Sequence, residues 1–168
     1  MLPMSSNDAH EDLFELTPPE PKRKRNNKEE YREQCALIAW ARWTSQLIQN
    51  IDQQKSDALF WLHSIPNEHY FGQDSKLGKA MGAHLVASGL TAGVLDLFLP
   101  YRTKEYGGFY IEMKSKTGYL KPKQKLFKAM AERNGYFTGK FKKWQEAARA
   151  IMRYLDLDPK LCGPIADY

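Results

Sequence analysis

Cysteine is scarce: two occur in 168 residues, Cys35 and Cys162, with no C-x-x-C spacing and no histidine pair beside them. That pattern excludes a structural zinc knuckle and a disulfide framework, and it points to a reducing compartment. His63, His69 and His84 are not spaced as a metal-binding trio. No apolar run approaches the roughly 20 residues that a membrane span needs, and the N-terminus lacks the apolar core of a signal peptide after a basic start. No internal repeat is present. The expectation is a cytoplasmic protein with no membrane partner and no nucleotide cofactor.

Hydrophobic residues make up 42% and charged residues 27%, which fits one globular domain with a real core. The net charge is +5. A basic chain of this size suits a polyanionic partner, but charge alone does not separate that from an ordinary basic enzyme.

Residues 1–27 read as a disordered tail, first acidic and irregular, then basic in PKRKRNN. The basic run suits a nuclear address, a nucleic-acid arm or, more simply, a solvated stretch before a helix. The folded domain is expected over 28–158, with a short tail over 159–168. A helix should run from Lys28 to Gln49, with Leu37, Trp40, Ala41, Leu47, Ile48 and Ile51 on one apolar face and Glu33 one turn before Leu37. DALFWLHSI, 57–65, reads as a strand closed by Pro66. A helix over 75–88 carries Leu77, Ala80, Met81 and His84 as a stripe and ends at Gly89. Strands follow at 93–99 and 109–114, joined by a hairpin loop. A helix opens at Pro122 with Leu126, Phe127 and Met130 inward and Gly135 at its end. YFTGK is a short strand, and a last helix spans 143–155 with Trp144, Ala147, Ala148, Ile151 and Leu155 inward. All four tryptophans read as core. The order α-β-α-β-β-α-β-α predicts an α/β mixed sheet flanked by helices.

The two paired strands each carry an acid at the centre of an apolar run: Asp96 between Leu95 and Leu97, and Glu112 between Ile111 and Met113. Alternation puts Tyr110, Glu112 and Lys114 on one face, and Val94, Asp96 and Phe98 on one face of the other strand. If the strands are neighbours in register, the two carboxylates converge. Like charges brought together need a cation between them. A hard divalent ion suits oxygen ligands, and the Met113 carbonyl offers another. Lys114 then lies where charge builds on a phosphate. Weighed singly, Asp96 is equally a strand-end acid, and Glu112 with Lys114 is more readily a solvated ion pair. From Tyr101 to Lys143 twelve Lys or Arg face three acids, Glu105, Glu112 and Glu132. Lys116, Lys121, Lys123, Lys125 and Lys128 follow the acidic strand directly, and this density suits a polyanion. Tyr106 and Tyr119 are placed to stack on or bond to it.

GVLDLFLP followed by YIEMKSKTGYLKPKQ resembles the PD-(D/E)xK nuclease core, and more narrowly its VRR-NUC branch in the short, stand-alone phage-type form. The matching pieces are Glu33-Gln34, Ile65-Pro66-Asn67, Gly93-Val94-Leu95-Asp96-Leu97, Glu112-Met113-Lys114 and Lys121-Pro122-Lys123-Gln124, in order across about 28–155. The resemblance implies a restriction-endonuclease-like fold and a DNA endonuclease dependent on Mg²⁺ or Mn²⁺. It implies Asp96 and Glu112 as metal ligands, Lys114 as the catalytic lysine, Glu33 as a further acid near the ion, and Gln124 as a positioning residue. It also implies a homodimer acting on branched DNA such as a four-way (Holliday) junction, as in DNA repair. The basic run itself sets Lys116, Lys121, Lys123 and Lys125 on the DNA, and Asn67, otherwise an ordinary turn residue, joins them by its place in the matched motif. One departure is Leu95, where the family pattern has proline. A non-catalytic DNA-binding module on the same scaffold is the reading from another class.

Overall fold

The computed structural model describes residues 27–66 and 76–165. Asn67 therefore lies outside the described residues. Five α-helices and four strands are found among them, in the order α1 (Asn27–Ile48), α2 (Gln53–Phe60), β1 (His63–Ser64), α3 (Lys76–Ala87), β2 (Leu97–Leu99), β3 (Phe109–Met113), α4 (Pro122–Arg133), β4 (Phe137–Phe141) and α5 (Trp144–Leu155).

The strand expected over 57–65 is a correction. Its first four residues close α2, and only His63–Ser64 is extended. Asp52 caps α2 by accepting a hydrogen bond from the Lys55 backbone N–H at 3.1 Å. Ser56, Leu59 and Leu62 are buried at helical spacing, while Phe60 and Trp61 face out. The aromatic pair that made the segment look strand-like sits on its wet side. Ser45 and Ser56 fasten α1 to α2 by donating to each other's carbonyls, both at 2.9 Å.

The strands form one sheet in the order β1-β2-β3-β4. The first two pairings are antiparallel and the third is parallel. A parallel pair needs a crossover, and α4 supplies it. Leu97, Leu99, Phe109, Ile111 and Met113 point to the core with α1 and α5 residues Leu37, Trp40, Ala41, Ile48, Ala147, Ala148 and Ile151. Burying one such side chain contributes about 1.5–3 kcal/mol. The opposite face, with Tyr110 and Glu112, meets α4 through Phe127 and Gln124.

Several inward assignments are corrected. Leu47 and Ile51 are exposed, so the core stripe of α1 is narrower than the sequence predicts. Leu126 is 71% exposed and Met130 39% exposed. The inner stripe of α4 is Gln124, Phe127 and Ala131, so of the three expected residues Phe127 keeps its inward place. A polar residue leads the stripe because its amide finds partners. Trp43 and Trp61 are exposed, and Trp40 alone of the four tryptophans is fully in the core, donating to the Gly163 carbonyl at 3.1 Å. Ala80 and His84 of the α3 stripe are exposed as well. Both expected glycine stops are present: Gly89 and Gly135 take positive φ. The N–H groups of the following Leu90 and Tyr136 close back on Leu85 and Ala131.

Candidate active site

Asp96 stands just before β2, and Glu112 is the fourth residue of β3. The register Leu97↔Ile111 extends by one step to set Asp96 opposite Glu112. The two side chains are laced to the backbone of each other's segment. The Met113 N–H donates to Asp96 Oδ2 at 3.0 Å, and the Asp96 N–H donates to Glu112 Oε2 at 3.2 Å. The Ile65 N–H donates to the Asp96 carbonyl at 2.8 Å, so β1 also steadies this position.

Glu112 has no exposed surface and Lys114 is 2% exposed. The Lys114 ammonium donates to Glu112 Oε1. The Gln124 amide Nε2 donates to the same oxygen at 2.5 Å, while Gln124 Oε1 accepts from the Lys121 N–H at 3.0 Å. One side chain thus closes the first turn of α4 and holds the acid of β3. Close packing makes this possible. Gly93 has φ +95°, and a Cβ there would lie 2.6 Å from Lys123 Cβ and 2.8 Å from the Lys123 carbonyl carbon. Only a residue without a side chain lets the segment leading to Asp96 lie against the first turn of α4.

Burial, and then the neighbouring Asp96, push Glu112 up to about 7, against the opposing pull of Lys114 and Gln124. Two acids crowd one lysine in this site, and the raised Glu112 is the mark of that crowding. Among the described residues no three His, Cys, Asp or Glu side chains gather; the centre is a carboxylate pair.

Glu33 is placed elsewhere. Its carboxylate accepts from Lys143 Nζ at 2.7 Å and from the Trp144 N–H at 2.9 Å, so it caps the start of α5. Glu30, one turn earlier on α1, reaches the chain just past β3: its Oε1 accepts from the Ser115 N–H at 3.1 Å. Glu30 was missed in the sequence because both acids lie on neighbouring turns of one helix face. Lys116, Lys121, Lys123 and Lys125 are exposed. Lys128 pairs with Glu132. Tyr119 is 76% exposed, whereas Tyr106 packs against Phe137 and Tyr154.

No protein-family model matches the chain, and no curated protein does. Among solved structures it is similar to a VRR_NUC domain protein, at 21% identity and a TM-score of 0.57, covering 77% of this chain and 89% of the other. The architecture is a restriction-endonuclease-like α/β fold, a four-stranded mixed sheet between helices.

Proposed function

We propose that the chain is a divalent-metal-dependent DNA endonuclease that hydrolyses phosphodiester bonds. The observation that carries this reading is the buried Glu112, opposite Asp96 and held by Lys114 and Gln124. The donor set fits a hard cation: it is all oxygen, and a cation there would relieve the crowding that raises Glu112 beside Asp96. Asp96, Glu112 and the Met113 carbonyl would hold Mg²⁺ or Mn²⁺. Such an ion supplies Lewis acidity to a phosphate ester.

Each side chain has a task. Gln124 keeps Glu112 in one rotamer. Lys114 keeps a cation at that carboxylate and would donate to a phosphate seated there. Exposed Lys116, Lys121, Lys123 and Lys125 hold the DNA backbone. For the acid from α1, Glu30 is the better candidate by position, because Glu33 must first leave Lys143 and the α5 terminus.

The finer reading is a branched substrate cut by a homodimer, since paired symmetric nicks need two centres. It rests on the motif resemblance. The test is incubation of pure protein with labelled linear, flapped and four-way-junction DNA in Mg²⁺, Mn²⁺ and EDTA. Cuts that need the metal support the proposal, and the preferred DNA names the task. Binding without a cut in either metal supports the non-catalytic DNA-binding module instead.

A further inference from the structure

The sheet face that carries Asp96 and Glu112 also carries a row of rings. His63, Phe98, Tyr110 and Thr138 are successive cross-strand partners over all four strands. The acids lie in the next row on the same face, with Lys140 beside Glu112. The rings touch in order. His63 and Phe98 have centroids 5.8 Å apart, Phe98 and Tyr110 4.6 Å, and Tyr110 and Tyr136 5.4 Å. His63 is exposed, and Phe98, Tyr110 and Tyr136 are only half-buried. Helix α4 shields Tyr110 through the edge of Phe127, 5.0 Å away, but leaves His63 open.

The row is held in place before anything binds. His63 Nδ1 donates to the Trp61 carbonyl at 2.8 Å, which fixes its ring. The tip of Phe98 fills the space a Cβ at Gly108 would need, at 2.5 and 2.6 Å, so this ring lies against the residue that leads into β3. Rings already ordered lose little freedom on binding a flat partner. Two residues along a strand span about 7 Å, comparable to the length of one extended nucleotide. A phosphate at the acids therefore sets the adjoining base against the row. Exposed Lys121, Lys123 and Lys125 flank Gln124, which touches Glu112, so cations for the rest of the strand lie on the same side.

We propose that His63 and Phe98, backed by Tyr110, form a stacking subsite for an unpaired nucleobase beside the scissile phosphate. The substrate class is DNA that is single-stranded at the cleavage point, such as a flap or the open strand of a branch. This deepens the nuclease reading and rests on it. Every base has a π-face, so the subsite is tolerant of sequence, while a duplex keeps its base faces covered by neighbours.

The test uses the full chain in EDTA and fluorescence anisotropy. The probes are a labelled oligothymidylate and an abasic strand of the same length, which keeps the phosphates and lacks the bases. Wild type should prefer the oligothymidylate by about 5- to 100-fold, the range expected for one stacked base. His63→Ala, at an exposed position, and Phe98→Leu should narrow that gap and leave the abasic affinity unchanged. His63→Trp should widen it. Equal affinity of wild type for both strands would overturn the subsite, as would a gap that persists in both His63→Ala and Phe98→Leu. A base-dependent gap together with no metal-dependent cleavage sustains the subsite and sinks the nuclease reading, so the two failures are distinguishable.

Discussion

Replacing Lys114 by methionine should make the stability of the metal-free protein strongly dependent on pH. Methionine keeps the buried volume and removes the cation that contacts Glu112. In the wild-type fold Glu112 is raised from 4.5 to about 7, which corresponds to roughly 3 kcal/mol of unfavourable charging at alkaline pH. Without Lys114 it rises further, because Lys114 is the largest influence that pulls it down. An acid raised on folding contributes stability that is complete below its unfolded value and is lost as pH climbs through its folded value. Near pH 5 the carboxyl is close to neutral in both folded proteins, and Lys114→Met adds little through this group. Near pH 9 the variant loses about 1.4 kcal/mol more for each unit that Glu112 has climbed above 7. The gap between wild type and variant should therefore widen by about 1–3 kcal/mol between those pH values. Urea unfolding in EDTA at both measures it. A gap that stays constant or shrinks as pH rises refutes the assignment of Lys114 as the partner that keeps Glu112 charged.

Three further outcomes follow from named contacts. Gln124→Ala removes a bond to buried Glu112 and the closure of the first turn of α4; it should cost about 1–2 kcal/mol in denaturant unfolding and slow single-turnover cleavage about 10- to 100-fold. Gly93→Ala should destabilise by about 1–3 kcal/mol, since the new Cβ meets Lys123 at φ +95°; an unchanged urea midpoint refutes the close approach. Glu33→Ala should lower stability by about 1 kcal/mol through loss of the α5 cap, whereas Glu30→Gln should reduce cleavage with little change in melting temperature. The reverse pattern returns the catalytic role to Glu33.

Much of the fold is legible in the sequence because local chemistry and tertiary contacts agree. Pro122 and the two glycine stops bound their helices as expected. The acids interrupting two apolar strands lie opposite each other because side chains alternate and the hairpin sets its register. Gln124 lies against Glu112, at the helix start where the motif put it. Elsewhere the sequence carries composition without orientation. Phe60 and Trp61 favour a strand by propensity, yet the Asp52 cap and the burial of Ser56, Leu59 and Leu62 make a helix. Leu126 and Met130 look like a core stripe, and the Glu112–Gln124 and Tyr110–Phe127 contacts set which side of α4 faces the sheet. The choice between Glu30 and Glu33 depends on where α5 begins, a long-range fact that no spacing within α1 encodes.

The most direct test of the central claim is single-turnover cleavage of flapped DNA in Mg²⁺ by wild type, Asp96→Asn and Lys114→Ala, with DNA binding measured alongside. The account predicts cleavage by wild type, loss of about 100-fold or more in each variant, and retained binding by the exposed lysines. Undiminished cleavage in Asp96→Asn would contradict it.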